Sequence, residues 1–396
     1  MNYRFPQKVS ENRLSLIRET ADRGRAVPGF ISFAMGNPAA ETIPVDLISQ
    51  SASEVLCEDP MSILQYGPAT GDPKLLAWIK NRLVRCKGTP EKGNKVMLLA
   101  GSGKGLALVP RTLCTEGDAA FCDAFSYPNS FNCMRNAGVV PIGIPADEAG
   151  MIPELLEEKA RQTPGKYLYL IPNFQNPTGR TMPLERRKEI YRIAQKYDLI
   201  IYEDDPYGEI RFRGKDIPSI KSLDTDGRVL YAGSFSKTLS AGLRVGFLYG
   251  PDALIDKLIS VKDADGQDPL YSQKIIVRCL EKMDYDAHLK SISEVYARKC
   301  GLITRGLREH CPDVCRFSSP DGGMFVWVTL PEGTDVIRLN DALIGAGVGA
   351  VRSEAFSVMP EDPGHAFRLN FSAPSDTDIR KGTEIFGQTI RKYLSA

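Results

Sequence analysis

From about Val96 the chain alternates short, unbroken apolar runs with longer polar stretches of helix-forming residues. The runs are Val96–Ala100, Ala119–Cys122, Val139–Ile144, Tyr167–Ile171, Leu199–Tyr202, Val229–Gly233 and Val245–Leu248. A strand buried on both faces reads as a continuous apolar run, and helices between such strands cover the two faces. The pattern therefore predicts an α/β fold on a mainly parallel, seven-stranded sheet, with Met182–Tyr197 as one covering helix. A helical region from Pro251 to Glu309 leads to a smaller α/β lobe, with strands at Met324–Val328, Val348–Val351 and Phe367–Asn370. Ser375–Tyr393 reads as a closing helix with Ser375 as its N-cap. Residues 1–28 are polar and basic, with Arg13, Arg18, Arg23 and Arg25, and predict a short helix and an arm.

A chain of 396 residues exceeds what one hydrophobic core usually holds. The expected division is an arm at 1–28, a small domain from 29–50 and 285–396, and a large domain at 51–284. Lysine and arginine number 50 against 49 acids, which gives no reason to expect nucleic acid or a membrane surface as partner. No apolar run approaches the length of a spanning helix, and the N-terminus has no secretory h-region. The nine cysteines are scattered without a C-x-x-C pair, so reduced thiols in a cytoplasmic protein are expected rather than disulfides or zinc.

In sheets of this kind ligands bind at the carboxyl ends of the strands. That rule brings together Ser102, Asn176, Asp204 and Lys237, each of which closely follows a strand run. Lys237 stands in Ser234-Phe235-Ser236-Lys237, with Arg244 seven positions on. A lysine can form a Schiff base with an aldehyde and carry a proton, and the hydroxyls with Arg244 suit an anion. Glu203-Asp204-Asp205-Pro206-Tyr207 follows Leu199–Tyr202, and three acids in a row would repel one another if all were buried. Either the run is a solvated loop, or one carboxylate, Asp204, is buried against a protonated ring nitrogen with Tyr207 beside it.

Asn176, in Asn176-Pro177-Thr178-Gly179, can hold an amide at the top of the sheet; the isomer of the bond before Pro177 stays open. Gly101-Ser102-Gly103-Lys104-Gly105 fails the P-loop spacing and the dinucleotide fingerprint, and remains a strand-to-helix turn able to bind phosphate or simply a tight turn. Tyr127 sits on a turn, suited to packing or to stacking on a flat ring, and Arg368 ends an apolar strand where a carboxylate would answer its charge. His288, His310 and His365 form no metal-ligand spacing, and there is no Gly-x-Ser-x-Gly elbow.

Together these motifs, over nearly the whole chain from Ile31, resemble the class I/II aminotransferases of fold type I, which use pyridoxal 5'-phosphate. The resemblance is nearest to the branch acting on 2-aminoadipate, kynurenine, aromatic or branched-chain amino acids. It implies that Lys237 carries the cofactor, Asp204 pairs with the ring nitrogen, and Asn176 and Tyr207 bind the ring oxygen. It implies also that Tyr127 stacks on the ring, while Ser102, Gly103, Lys104, Ser234, Ser236 and Arg244 hold the phosphate. Arg368 would bind the substrate carboxylate, with Asn176 and Gly36 beside it. Tyr66 would reach the phosphate of a neighbouring subunit, so a homodimer is implied. Lys104 replaces a more usual glutamine or alanine, and Phe33-Ala34-Met35-Gly36-Asn37-Pro38 a more usual Gly-Gly-Leu-Pro on the substrate side. Arg18 either meets a distal carboxylate or is a surface charge. The expected reaction is ping-pong transfer of an amino group from an L-amino acid to a 2-oxo acid such as 2-oxoglutarate. A β-lyase, decarboxylase or racemase on the same cofactor is the alternative; a regulator fused to a winged helix would need a further N-terminal domain.

Overall fold

Seven strands carry the apolar runs: β1 (Asn94–Leu99), β2 (Ala119–Asp123), β3 (Val140–Ile144), β4 (Gly165–Leu170), β5 (Ile200–Asp204), β6 (Val229–Ser234) and β7 (Gly246–Pro251). They form one sheet in the order β3-β2-β4-β5-β6-β7-β1. All neighbours run parallel except β7, which is antiparallel to both β6 and β1. The structure is a computed structural model and describes residues 3–5, 15–359 and 361–395; Arg13 of the basic arm lies outside the described residues.

The period of two along each strand sends alternate side chains to opposite faces. Met97, Leu99, Cys122, Leu230 and Leu248 share a core with helices Gly103–Leu113, Pro128–Asn136 and Asp252–Asp263. On the other face Phe121, Leu168, Leu170 and Ile201 pack with helices Pro153–Gln162 and Leu184–Lys196, and Leu98, Tyr231 and Phe247 with helices Pro73–Lys87 and Leu270–Lys282. The expected helix at Met182–Tyr197 is thus present at Leu184–Lys196.

A second sheet of four antiparallel strands runs in the order Arg316–Phe317, Phe325–Thr329, Ala366–Asn370, Val351–Arg352. The single strand expected at Val348–Val351 is two. Val348–Gly349 pairs in parallel with Ile31–Ser32, and Val351–Arg352 joins Ala366–Asn370. The closing helix spans Asp376–Leu394, and Ser375 caps it by accepting from the Asp378 N–H at 3.1 Å.

Residues 33–42 cross from this lobe toward the large sheet as a strap. Phe33 O accepts from Asn370 N at 2.7 Å, Asn37 O from Ser372 Oγ at 2.6 Å, and Tyr296 Oη from Ala39 N at 3.1 Å. All nine cysteines are free. Among the described residues no helix is long and apolar enough to cross a membrane, and no cluster of metal-ligating side chains occurs.

Candidate active site

The carboxyl ends of β4, β5 and β6 lie side by side at one edge of the sheet. In β4–β5 register Tyr169 stands opposite Tyr202, so both share a face with Asp204, two residues beyond Tyr202. Tyr169 donates its hydroxyl to Asp204 Oδ2 at 2.8 Å. The other carboxylate oxygen, Asp204 Oδ1, is buried with no hydrogen-bond partner. Burial pushes this carboxyl up to about 7, against the Tyr169 bond and with the neighbouring Asp205 charge. A buried acceptor left open is costly unless a donor arrives, so this oxygen marks where a protonated ligand atom belongs.

All three consecutive acids are buried, contrary to the expectation that at most one would be. Alternation separates them: Glu203 points away from Asp204 and accepts from the Ile220 and Lys221 N–H groups at 2.8 and 2.7 Å. Asp205 accepts from Asn173 Nδ2 at 2.9 Å and Tyr231 Oη at 2.8 Å. Each carboxylate has its own donors, which offsets the repulsion that the run alone suggests.

Lys237 follows β6 and donates to Gly36 O of the strap at 2.8 Å. Burial, then the charges of Arg368 and Arg244, push its amine down to about 8. Arg368 is 2% exposed; it donates to Asn176 Oδ1 at 2.9 Å and to Ala34 O, also in the strap, at 2.5 Å. Its guanidinium lies 4.3 Å from the Phe325 ring centroid and 4.8 Å from that of Phe356. Its Nε has no partner, and burial lowers it to about 10. A guanidinium held only by neutral oxygens and ring faces is set to receive an anion. The Asn176 side chain also bonds the Tyr207 hydroxyl, whose proton burial holds firmly. The Asn176–Pro177 bond, open in the sequence, is cis. Tyr127 is half-buried beside the same groups: the charges of Asp204, Arg368 and Arg244 all act on its hydroxyl.

The anion side is assembled from two turns. Arg244, with φ +52°, bonds Ala241 O at 3.2 Å and Ser236 Oγ at 3.5 Å. Ser236 N donates to Ser234 Oγ at 3.1 Å. A Cβ on Gly101 would lie 2.2 Å from Arg244 Nη2, so the guanidinium rests directly on the glycine turn that opens helix Gly103–Leu113. The first N–H groups of that helix, at Ser102 and Gly103, have no intrahelical partner and suit an anion. Lys104 contributes differently from its neighbours. Its N–H closes on Gly101 O at 3.0 Å, and its ammonium pairs with Asp268 at 3.1 Å.

Two expected residues stand apart from this cluster: Tyr66 is 91% exposed, and Arg18 is exposed on helix Leu16–Gly24. Sequence reasoning missed Tyr169, although the period of two on β4, in register with β5, puts it beside Asp204. It also missed Phe325 and Phe356, which look in the sequence like ordinary core residues.

Residues 28–386 match the family model for aminotransferase class I and II. The chain belongs to this family. Like other class I and II aminotransferases it is a fold type I enzyme that uses pyridoxal phosphate. An aromatic-amino-acid aminotransferase of Thermococcus litoralis is 36% identical over 98% of this chain and 93% of its own length. A multiple substrate aminotransferase from Thermococcus profundus superposes with a TM-score of 0.94 at 34% identity, over 99% of this chain and 98% of that one. An α-aminoadipate aminotransferase from Thermus thermophilus superposes with a TM-score of 0.90 at 30% identity, over 99% and 98%. That structure holds N-(5'-phosphopyridoxyl)-L-leucine.

Proposed function

We propose that this aminotransferase takes an L-amino acid of the aromatic, branched-chain or 2-aminoadipate class and passes its amino group to a 2-oxo acid such as 2-oxoglutarate. The observation that carries this reading is the convergence of three incomplete groups: the open Asp204 oxygen, the poised Lys237 amine and the anion-ready Arg368. The substrate range is supported by the aromatic rings around Arg368 and by the names of the relatives.

The residues present fit the cofactor. Lys237 would hold its aldehyde carbon, Asp204 its ring nitrogen, Asn176 and Tyr207 its ring oxygen, and Tyr127 its ring face. Ser102, Gly103, Ser234, Ser236 and Arg244 would hold its phosphate. Lys104 serves this cradle through Asp268, which accepts both from its ammonium and from the Ala100 N–H, rather than by reaching the anion itself. When bound, the cofactor supplies a conjugated ring that accepts the electron pair of a broken Cα–H bond.

Arg368 binds the substrate carboxylate bidentately, releasing Ala34 O, and so fixes Cα above the amine. Once the substrate amine has displaced it, the freed Lys237 amine, held down at about 8 by burial and the two arginines, is partly neutral at physiological pH and takes the Cα proton. The strap carrying Ala34 and Gly36 lies over this chemistry and limits water. Tyr66 completes the phosphate site of a partner in a homodimer. The protein is cytoplasmic, its ligands are small molecules, and nucleic acid is not among them. We also assign 51–284 to the cofactor-binding domain, and 29–50 with 285–396 to the smaller one.

The test is a half-reaction. Single L-amino acids added to the loaded enzyme without an oxo acid should abolish the visible band of the lysine-linked cofactor and release one equivalent of 2-oxo acid. Release of ammonia, carbon dioxide or the D-amino acid in its place would assign the chain to lyase, decarboxylase or racemase chemistry.

A further inference from the structure

Behind Asp204, on the opposite face of the sheet, a buried polar chain runs through two loops. Arg187 donates to Asn173 Oδ1 at 2.6 Å, and Asn173 Nδ2 donates to Asp205 Oδ1 at 2.9 Å. Tyr231 closes the chain on Asp205 Oδ2 at 2.8 Å. Asn173 lies three residues before Asn176, and Asp205 lies between Asp204 and Tyr207, so one carboxylate ties together the loops that carry all three ring-facing side chains. Gly208 leaves room for it, since a Cβ there would lie 2.2 Å from Asp205 Oδ2.

The charge balance in this layer is uneven. Glu203, Asp204 and Asp205 are all buried; the fully buried Arg187 acts on both Glu203 and Asp205, while the buried Lys221, which also acts on Glu203, is paired with Asp224 at 2.7 Å. Arg187 is itself surrounded by carbonyls of Met182, Pro172 and Pro218. The remaining charged groups near Asp205 are Arg82, paired with Glu209 at 2.6 Å, and Lys87, which line a small cavity beside it. Repulsion within such a layer falls when the group opposite the open Asp204 oxygen brings a positive charge.

We propose that Asp205 is a positioning residue for the cofactor: it locks the Asn176 and Asp204–Tyr207 loops together, and its charge acts through Asp204 to favour the protonated ring nitrogen. This rests on the cofactor reading above and goes further than it, because Asp205 touches neither cofactor nor substrate. The role divides from a merely structural one by comparing two ligands. Pyridoxal phosphate carries the ring nitrogen, whereas its carbocyclic analogue has C–H in that place and is otherwise the same shape.

The experiment measures the dissociation constants of both ligands for the cofactor-free chain by fluorescence titration. In Asp205→Asn the affinity for pyridoxal phosphate should fall about tenfold and that for the analogue by less than about twofold. The new amide can donate to the Tyr231 oxygen only if that hydroxyl turns its proton away from it, so the double variant Asp205→Asn with Tyr231→Phe removes the displaced proton and should give the same ratio. Tyr231→Phe alone keeps the charge, and should keep the wild-type ratio while lowering the melting temperature. Equal weakening of both ligands in the Asn variants, or failure of both variants to fold even with cofactor present, would reduce Asp205 to a structural part and overturn the proposal. If wild-type chain binds neither ligand, the cofactor reading fails and takes this inference with it; tight wild-type binding with an unchanged ratio in the variants removes this inference alone.

Discussion

Lys237 and Arg368, a half-buried and a buried cation in one site, are held on backbone carbonyls of a single strap, Gly36 O and Ala34 O, rather than on carboxylates. A carbonyl satisfies a donor without neutralising it, so both groups keep their charge available for an incoming ligand. Their mutual repulsion, added to burial, is what brings the lysine down to about 8. At pH 7 about a tenth of such an amine is neutral, against well under a thousandth for an ordinary lysine. The sign follows directly: a cation nearby disfavours the ammonium, so removing Arg368 moves the midpoint upward. In Arg368→Met the rate at which free pyridoxal phosphate forms its lysine-linked band at pH 7 should fall about three- to tenfold and recover at higher pH. Stopped-flow absorbance from pH 6 to 10 reads this; an unmoved midpoint would mean that the two cations are not coupled. The KM for amino acid should rise by at least about tenfold in the same variant, since the carboxylate loses its bidentate partner. The grouping of Asn176, Asp204 and Lys237 was legible in the sequence because each closely follows an apolar run at the carboxyl end of a strand. The buried acid triplet was not. A linear run of charges gives no sign that β5 sends Glu203 and Asp204 to opposite faces, or that Tyr169, Tyr231 and Asn173 bring donors from other segments.

At the level of elements, the proposed phosphate cradle depends on the Gly101–Ser102 turn and the start of β7 meeting backbone to backbone. A Cβ on Gly246, at the start of β7, would lie 2.3 Å from Ser102 N and 2.8 Å from Gly101 C. Both atoms are backbone, so no rotamer change relieves the contact and the turn itself must move. Gly246→Ala should therefore weaken binding of pyridoxal phosphate at least tenfold and lower the melting temperature, while the half-reaction with cofactor forced on at high concentration survives. Calorimetric titration checks the first part, and wild-type affinity in that variant would show that the turn does not set the cradle. The position of β7 was legible, because Val245–Leu248 is as apolar as its neighbours. Its direction was not: a run buried on both faces reads the same whether the strand is parallel or antiparallel. Nor was the break at Ala350, where two short strands serve two different partners, Ile31–Ser32 and Ala366–Asn370. Apolar residues alone mark both halves as one strand.

In the homodimer proposed above, Tyr66 decides how much of the active site belongs to one molecule. It follows helix Pro60–Leu64, is 91% exposed, and shares its surface region with the exposed apolar side chains Met61 and Leu64. A tyrosine and two large apolar residues turned to water on one segment suit burial against a partner. If that partner is a second copy, a two-fold interface places each Tyr66 at the other chain's phosphate, and each site draws on both chains. Subunit mixing tests this without altering the interface as a whole. Lys237→Ala cannot link the cofactor, and Tyr66→Ala leaves the phosphate of its partner short of one donor, so each homodimer should have strongly reduced turnover. In a mixed dimer, the site around the intact Lys237 receives Tyr66 from the Lys237→Ala chain and is complete, while the opposite site carries both defects. Equal mixing and re-equilibration gives hybrids as half of all dimers, each with one complete site, so activity should recover to about a quarter of the wild-type value. Activity equal to the mean of the two parents would mean that each chain builds its site alone. Recovery near a quarter would place Tyr66 across the interface, and sedimentation of the same mixture should then show one dimeric species.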